Sequence, residues 1–289
     1  VVFESVRHSV CSLMSRGNEA TDGWHRRRLA GMECQLLLPS GGEPPDFAVV
    51  FLHGSGDPWK VEREHIFPPE KLGRIKASLC VVLPASPLKE GAMHFWYASD
   101  GSRIVQLLRE GKLEELKDTE PKFLDMSRAS LERLLFDIES ELGVPCERLA
   151  LCGFSQGGAA AADAALRLLP RVPALLGVFS GSLMCRRLWR SFVEAVDEPT
   201  RQAFRQVPML QSHGTGDMSV GVRGGRWLHD FCCQDLGMER AKFIEFKGGH
   251  TVPREVADEL LEMIGRLAEA SSPCSAGPAA RHVDADEAP

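Results

Sequence analysis

Apolar residues fall along this chain in short unbroken runs, set between turn-rich stretches and stretches with helical periodicity. Runs of that length are too short for helices and fit strands buried on both faces, as in a parallel sheet covered by helices. They occupy Ala48 to Leu52, Leu79 to Leu83, Leu149 to Cys152 and Leu175 to Phe179, and Glu33 to Leu38, Pro208 to Gln211 and Ala241 to Phe246, which also contain polar residues, read as further strands. Glu33 to Leu38 and Ala48 to Leu52 read as neighbouring strands across the turn-rich segment Pro39 to Pro45. Between Ser127 and Leu142, the residues Leu131, Leu134, Leu135, Ile138 and Leu142 recur on one face of a helix. Helices are also expected over Gly157 to Leu169, near Arg223 to Leu236, and from Pro253, a good first helical residue, to Leu267.

Strands alternating with helices predict an α/β fold with a mainly parallel central sheet and helices on both faces, and ligands bind beyond the carboxyl ends of such strands. Residues 1–30 lack sustained periodicity and read as an N-terminal lead-in or added element. In that lead-in, Arg26-Arg27-Arg28 forms a solvated segment ahead of the first strand. Residues 31–268 form the expected domain. Within it, residues 88–126 break the rhythm with Trp96, Tyr97 and a charged section, as either a lid or substrate loop or a plain surface excursion. Residues 269–289 are small, polar and aperiodic, and read as a disordered tail.

Composition narrows the classes. A formal charge of -6 offers no electrostatic footprint for nucleic acid. Nine scattered cysteines without a CxxC pair suggest neither a disulfide framework nor a zinc site, and suit a reducing, cytoplasmic compartment. The histidines at 8, 25, 65, 94, 229 and 282 form no metal-ligand spacing. No apolar run is long enough to span a bilayer as a helix, and the first thirty residues contain no secretory apolar core.

The chemistry centres on Gly153-Phe154-Ser155-Gln156-Gly157, a GxSxG frame between a strand-like and a helix-like run. A serine hydroxyl is a weak nucleophile and must be held out on a tight turn within reach of a base. Asp217 follows the strand at 208–211, and His250 follows the strand at 241–246 on a Gly-Gly loop. Singly, such an aspartate is more often a cap or turn residue, and such a histidine a surface residue. Together, Ser155, Asp217 and His250 follow the nucleophile, acid, base order of the α/β-hydrolase fold. The turn His53-Gly54-Ser55-Gly56 offers one oxyanion N–H and Gln156 another. His53 and His213 read as structural, bracing their turns.

FLHGSGD (51–57), GFSQGG (153–158), FSGSL (179–183), PMLQSHGTGDMSV (208–220) and GGH (248–250) resemble the acyl-protein thioesterase, or phospholipase/carboxylesterase, family of α/β hydrolases. The resemblance spans about residues 32–267. It implies cofactor-independent hydrolysis of carboxylic esters and thioesters, typically S-palmitoyl cysteines on proteins, with Ser155 as nucleophile, His250 as base, Asp217 as orienting acid and the amides of Ser55 and Gln156 as oxyanion hole. The expected partner is an acylated protein or a small acyl ester, with transient membrane-surface contact an option and a monomer or weak homodimer as the assembly. The sequence departs from the family at Ser55, Pro58-Trp59 and Gly221, and Phe95-Trp96-Tyr97 only loosely echoes a family tryptophan loop. These positions would border the acyl pocket, with Trp59 and Trp96 as the substrate-binding candidates. Two other readings are a short-chain carboxylesterase or lysophospholipase without a protein substrate, and a non-catalytic binding module on the same scaffold.

Overall fold

A computed structural model describes residues 23–39, 44–56, 58–59 and 62–271. Its centre is an eight-stranded sheet in the order β1-β2-β4-β3-β7-β8-β9-β10. These strands are Trp24–Leu29 (β1), Met32–Leu37 (β2), Phe47–Leu52 (β3), Leu79–Pro84 (β4), Leu149–Phe154 (β7), Leu175–Phe179 (β8), Met209–Gly214 (β9) and Ala241–Phe246 (β10). The sheet runs parallel from β4 to β10, and β1 and β2 are antiparallel additions at one side. Two short strands, Leu88–Glu90 (β5) and Met93–Phe95 (β6), form a separate hairpin.

The continuous apolar runs became the central strands because both of their faces are covered. All six residues of β3 are buried. On one face pack the helices Leu124–Leu142 (α4), Gln156–Arg167 (α5), Arg186–Ala195 (α6) and Val222–Asp230 (α8), contributing Leu131, Leu134, Ile138, Trp189 and Leu228 to the core. On the other face the helix Arg254–Ser271 (α9) presents Val256, Leu260, Leu261 and Ile264 to Phe47, Val49, Phe51 and Phe179. The alanines of α5 are all buried, so its backbone lies close against β7 and β8.

Several expectations change. The strands predicted as neighbours, β2 and β3, are separated by β4, because β2 pairs antiparallel with β4 and β3 pairs parallel with it. The lead-in drawn through residue 30 is too long: residues 24–29 are the edge strand β1, and Arg26-Arg27-Arg28 lies in it rather than ahead of the first strand. The edge position accounts for the difference, because Trp24 and Leu29 are buried on opposite faces of the strand while Arg26 and Arg28 between them face solvent, as suits an open sheet edge. The remainder of the lead-in, residues 1–22, lies outside the described residues. The last helix continues to Ser271, three residues into the segment expected to be a tail, and the rest of that tail is also outside the described residues.

Residues 88–126 are not structureless. They hold the β5–β6 hairpin and the helices Gly101–Arg109 (α2) and Leu113–Lys117 (α3), which follow a short helical turn Pro69–Leu72 (α1) earlier in the chain. Acidic residues bind this segment to the body of the domain. Asp118 accepts from Arg186 at 2.9 Å, and Glu120 pairs with Arg128. The helix Glu198–Arg205 (α7), capped by Asp197, completes the described elements between α6 and β9.

Candidate active site

Parallel strands direct their carboxyl ends to one side of the sheet, and there the structure gathers the loops after β3, β7, β9 and β10. Ser155 sits between β7 and α5 with φ 55° and ψ -121°, a conformation that L residues rarely adopt. Its neighbours explain how that conformation is held. A Cβ on Gly153 would lie 2.3 Å from the Gly157 carbonyl oxygen, and one on Gly157 would lie 2.1 Å from the Leu52 carbonyl oxygen. Only glycine fits at either place. The Ser155 N–H donates to the Phe179 carbonyl at 2.8 Å, so the FSGSL segment anchors the turn.

The loops after β9 and β10 are sewn together by their backbones. Thr215 N–H donates to Phe246 O and Gly216 N–H to Gly248 O, each at 2.9 Å. A Cβ on Gly214 would lie 2.3 Å from Gly249 O, so this close approach also needs a glycine. The result is a continuous series. Ser155 Oγ lies 2.8 Å from His250 Nε2, and His250 Nδ1 lies 2.6 Å from Asp217 Oδ2. With Asp217 as an acceptor, the imidazole proton resides on Nδ1, leaving Nε2 to accept from the serine hydroxyl. The ring of Phe154 packs against His250 with centroids 4.7 Å apart and limits its tilt.

The Asp217 side chain is fully buried, while that of His250 is 22% exposed. Burial opposes ionisation of Asp217. The hydrogen bond from His250 and the amides of Val220 and Ser219, at 2.9 and 2.8 Å from Oδ1, outweigh it and hold the carboxyl below its ordinary value. The site therefore contains a buried carboxylate behind a histidine that is partly exposed to solvent. Such an arrangement can take a proton from the serine and stabilise the imidazolium that results.

Ser55 is exposed on the turn after β3, and Gln156 opens α5, where the first amides have no intrahelical carbonyl to bond. His53 braces its turn: Nε2 accepts from Ser86 N–H at 3.0 Å, so Nδ1 carries the proton and bonds the Gly54 carbonyl. His213 likewise braces, with Nε2 donating to Val220 O at 2.7 Å.

The two tryptophans expected at the substrate are engaged elsewhere. Trp59 donates its indole N–H to Leu83 O at 3.0 Å, and the Arg26 guanidinium lies over its ring. Trp96 is fully buried in the core on the α4–α5 face, with its indole N–H on His53 O at 2.9 Å. Neither is placed as an open lining of the site. The contributions of Phe154 and of the Gln156 side chain, which bonds Trp96 N–H, Tyr97 O and Ser99 Oγ, carry no signal in residue spacing. Among the described residues, no group of three or more His, Cys, Asp or Glu side chains is arranged to hold a metal ion, and no helix is long and apolar enough to cross a membrane.

A parallel sheet with a serine on the strand-to-helix turn, followed in chain order by an aspartate and a histidine at later strand ends, defines an α/β hydrolase. The chain belongs to the phospholipase/carboxylesterase family, which it matches over residues 36–265, and it is a carboxylic ester hydrolase. Acyl-protein thioesterase 1 of Gibberella zeae is 28% identical over 238 residues, covering 80% of this chain and 94% of that protein. Acyl-protein thioesterase 1 homolog 2 of Dictyostelium discoideum is 27% identical over 201 residues, covering 68% of this chain and 81% of that protein. The crystal structure of esterase PE8 shares the fold with a TM-score of 0.60 at 22% identity, covering 80% of this chain and 97% of that one.

Proposed function

We propose that this protein is an acyl-protein thioesterase that removes S-palmitoyl groups from protein cysteines through an acyl-enzyme on Ser155. The observation that carries the reading is the unbroken series Ser155, His250, Asp217 at 2.8 and 2.6 Å, with the acid buried and the base partly exposed. The similarity to the Gibberella and Dictyostelium thioesterases supports the thioester as substrate.

In this mechanism Ser155 Oγ attacks the thioester carbonyl carbon as its proton passes to His250 Nε2. The imidazolium is held by Asp217 through Nδ1–H, and the carbonyl oxygen, now negative, accepts from the amides of Ser55 and Gln156. Collapse breaks the carbon–sulfur bond, His250 returns the proton to the departing thiolate, and the cysteine leaves. A water then repeats the sequence on the acyl-serine, giving the carboxylic acid and free Ser155. No cofactor takes part. A reducing, cytoplasmic location accompanies this reading, in keeping with seven described cysteines that are all free thiols.

Turnover of a palmitoylated peptide, set beside octanoyl and acetyl thioesters, tests the substrate. Preference for the long chains, lost in Ser155→Ala, is expected. Turnover confined to acetyl esters and thioesters would replace this reading with a short-chain carboxylesterase, and absence of turnover despite fluorophosphonate labelling of Ser155 would favour a binding module.

A further inference from the structure

The segment from β6 into the following loop, residues 93–97, crosses both turns assigned above as oxyanion donors. On the first turn it grips both flanks of Ser55. The Trp96 indole N–H donates to His53 O at 2.9 Å, two residues before Ser55. One residue after it, Gly56 and His94 exchange two backbone hydrogen bonds, each 3.0 Å. On the second turn it grips Gln156. Trp96 N–H donates to Gln156 Oε1 at 3.0 Å, and Gln156 Nε2 donates to Tyr97 O at 3.1 Å and to Ser99 Oγ at 3.0 Å. The segment is itself held from below, because Ser127 Oγ on α4 donates to Trp96 O at 2.5 Å.

The start of α5 also runs close to this His53 carbonyl, since a Cβ on Gly157 would lie only 2.4 Å from it. Trp96 thus bonds to both turns: through its indole to His53, and through its backbone amide to Gln156. An oxyanion hole acts only when its donors stand at the distance and angle the transition state requires, before the reaction begins. Ser55 is on an exposed turn and cannot keep that register by burial.

We propose that Trp96 is a positioning residue for the oxyanion pair, setting the separation of the Ser55 and Gln156 amides with the Gln156 side chain as its partner. This deepens the reading above and rests on the assignment of Ser55 and Gln156 as donors. It also explains why a tryptophan expected at the substrate is fully buried: its role is exerted through the turn it holds.

The test compares Trp96→Phe, which keeps a buried ring and removes the indole N–H, with Gln156→Met, which keeps the backbone amide and removes the clamp. Steady-state turnover of p-nitrophenyl acetate is measured with inhibition by an alkyl trifluoromethyl ketone, whose adduct on Ser155 places an oxyanion against the two amides. Each variant is expected to lose about tenfold in kcat, less than deletion of a whole donor, with KM within about twofold. The ketone should weaken by the same factor as kcat/KM, and the double variant should lose less than the product of the singles. A folded Trp96→Phe with wild-type kcat and ketone affinity overturns the proposal. If that variant does not fold, the same two readouts on Gln156→Met decide it. Wild-type protein as inert as Ser155→Ala would overturn the hydrolytic role of Ser155 and this inference with it, whereas active wild-type protein with unaffected variants overturns this inference alone.

Discussion

His213 stands behind Asp217, its Nε2 3.4 Å from Oδ2, with both side chains fully buried. The two residues also share Val220, whose N–H donates to Asp217 and whose carbonyl accepts from His213. His213 therefore fixes the turn that presents the carboxylate to His250. Replacing it with phenylalanine keeps the ring and leaves the half-buried Val220 carbonyl without its donor, a loss of about 1 kcal/mol. The expected outcome for His213→Phe is a lower thermal midpoint together with a lower kcat, measured on the folded fraction by active-site titration. A variant with full kcat would show that the turn holds its geometry without the imidazole.

Gly221 occupies a backbone position that would accept proline. With φ -59° just before α8, and no atom within 4 Å of where a Cβ would stand, the position already has the torsion proline imposes. Gly221→Pro should stabilise the protein by about 0.4–1 kcal/mol, by restricting the unfolded chain. Denaturant unfolding with an unchanged m-value and a higher midpoint is the expected result. A lower midpoint would mean that Val220 cannot accommodate a following proline.

Arg128 and Asp163 form a bidentate pair between α4 and α5, at 2.8 and 2.9 Å, with side chains 7% and 3% exposed. Trp189 also donates to Asp163, at 2.8 Å. Removing the arginine strands a buried carboxylate, so Arg128→Met should cost about 3–5 kcal/mol. The double variant Arg128→Met with Asp163→Leu should recover part of that loss, because no buried charge remains unpaired. A double-mutant cycle by chemical denaturation checks this, and additive losses would contradict it.

Burial pushes the thiols of Cys34, Cys80, Cys146 and Cys185 up from 9.0 to about 12, and raises Cys152 and Cys232 as well. A raised folded-state value means the stabilisation is complete below the unfolded value and is lost as pH rises. The thermal midpoint should accordingly fall as pH is raised from about 9 towards 12, where the unfolded thiols ionise and the folded ones do not. At pH 8, iodoacetamide mapping of the native protein should find Cys233, the partly exposed one, labelled ahead of the other six described cysteines. Ready labelling of Cys152 would contradict the burial.

The central sheet was legible because its strands are buried on both faces and so appear as continuous apolar runs. The outlying strand β1 was not, since Trp24 and Leu29, buried on opposite faces, bracket a polar run from His25 to Arg28. The helices α2 and α3, nine and five residues long, are too short to show a sustained pattern within a charged stretch, although α2 places Ile104, Leu107 and Leu108 at helical spacing.

By itself the sequence determined the parallel sheet, the order of Ser155, Asp217 and His250, and the glycines at 153 and 157 that the turn requires, because local pattern and backbone sterics act over a few residues. Only the tertiary structure decided that β4 lies between β2 and β3, that Trp59 and Trp96 face inward, and that residues 93–97 bind the Ser55 and Gln156 turns together. Those outcomes depend on contacts between segments far apart in the chain, such as Trp96 with His53 and Gln156, and residue spacing carries no record of them.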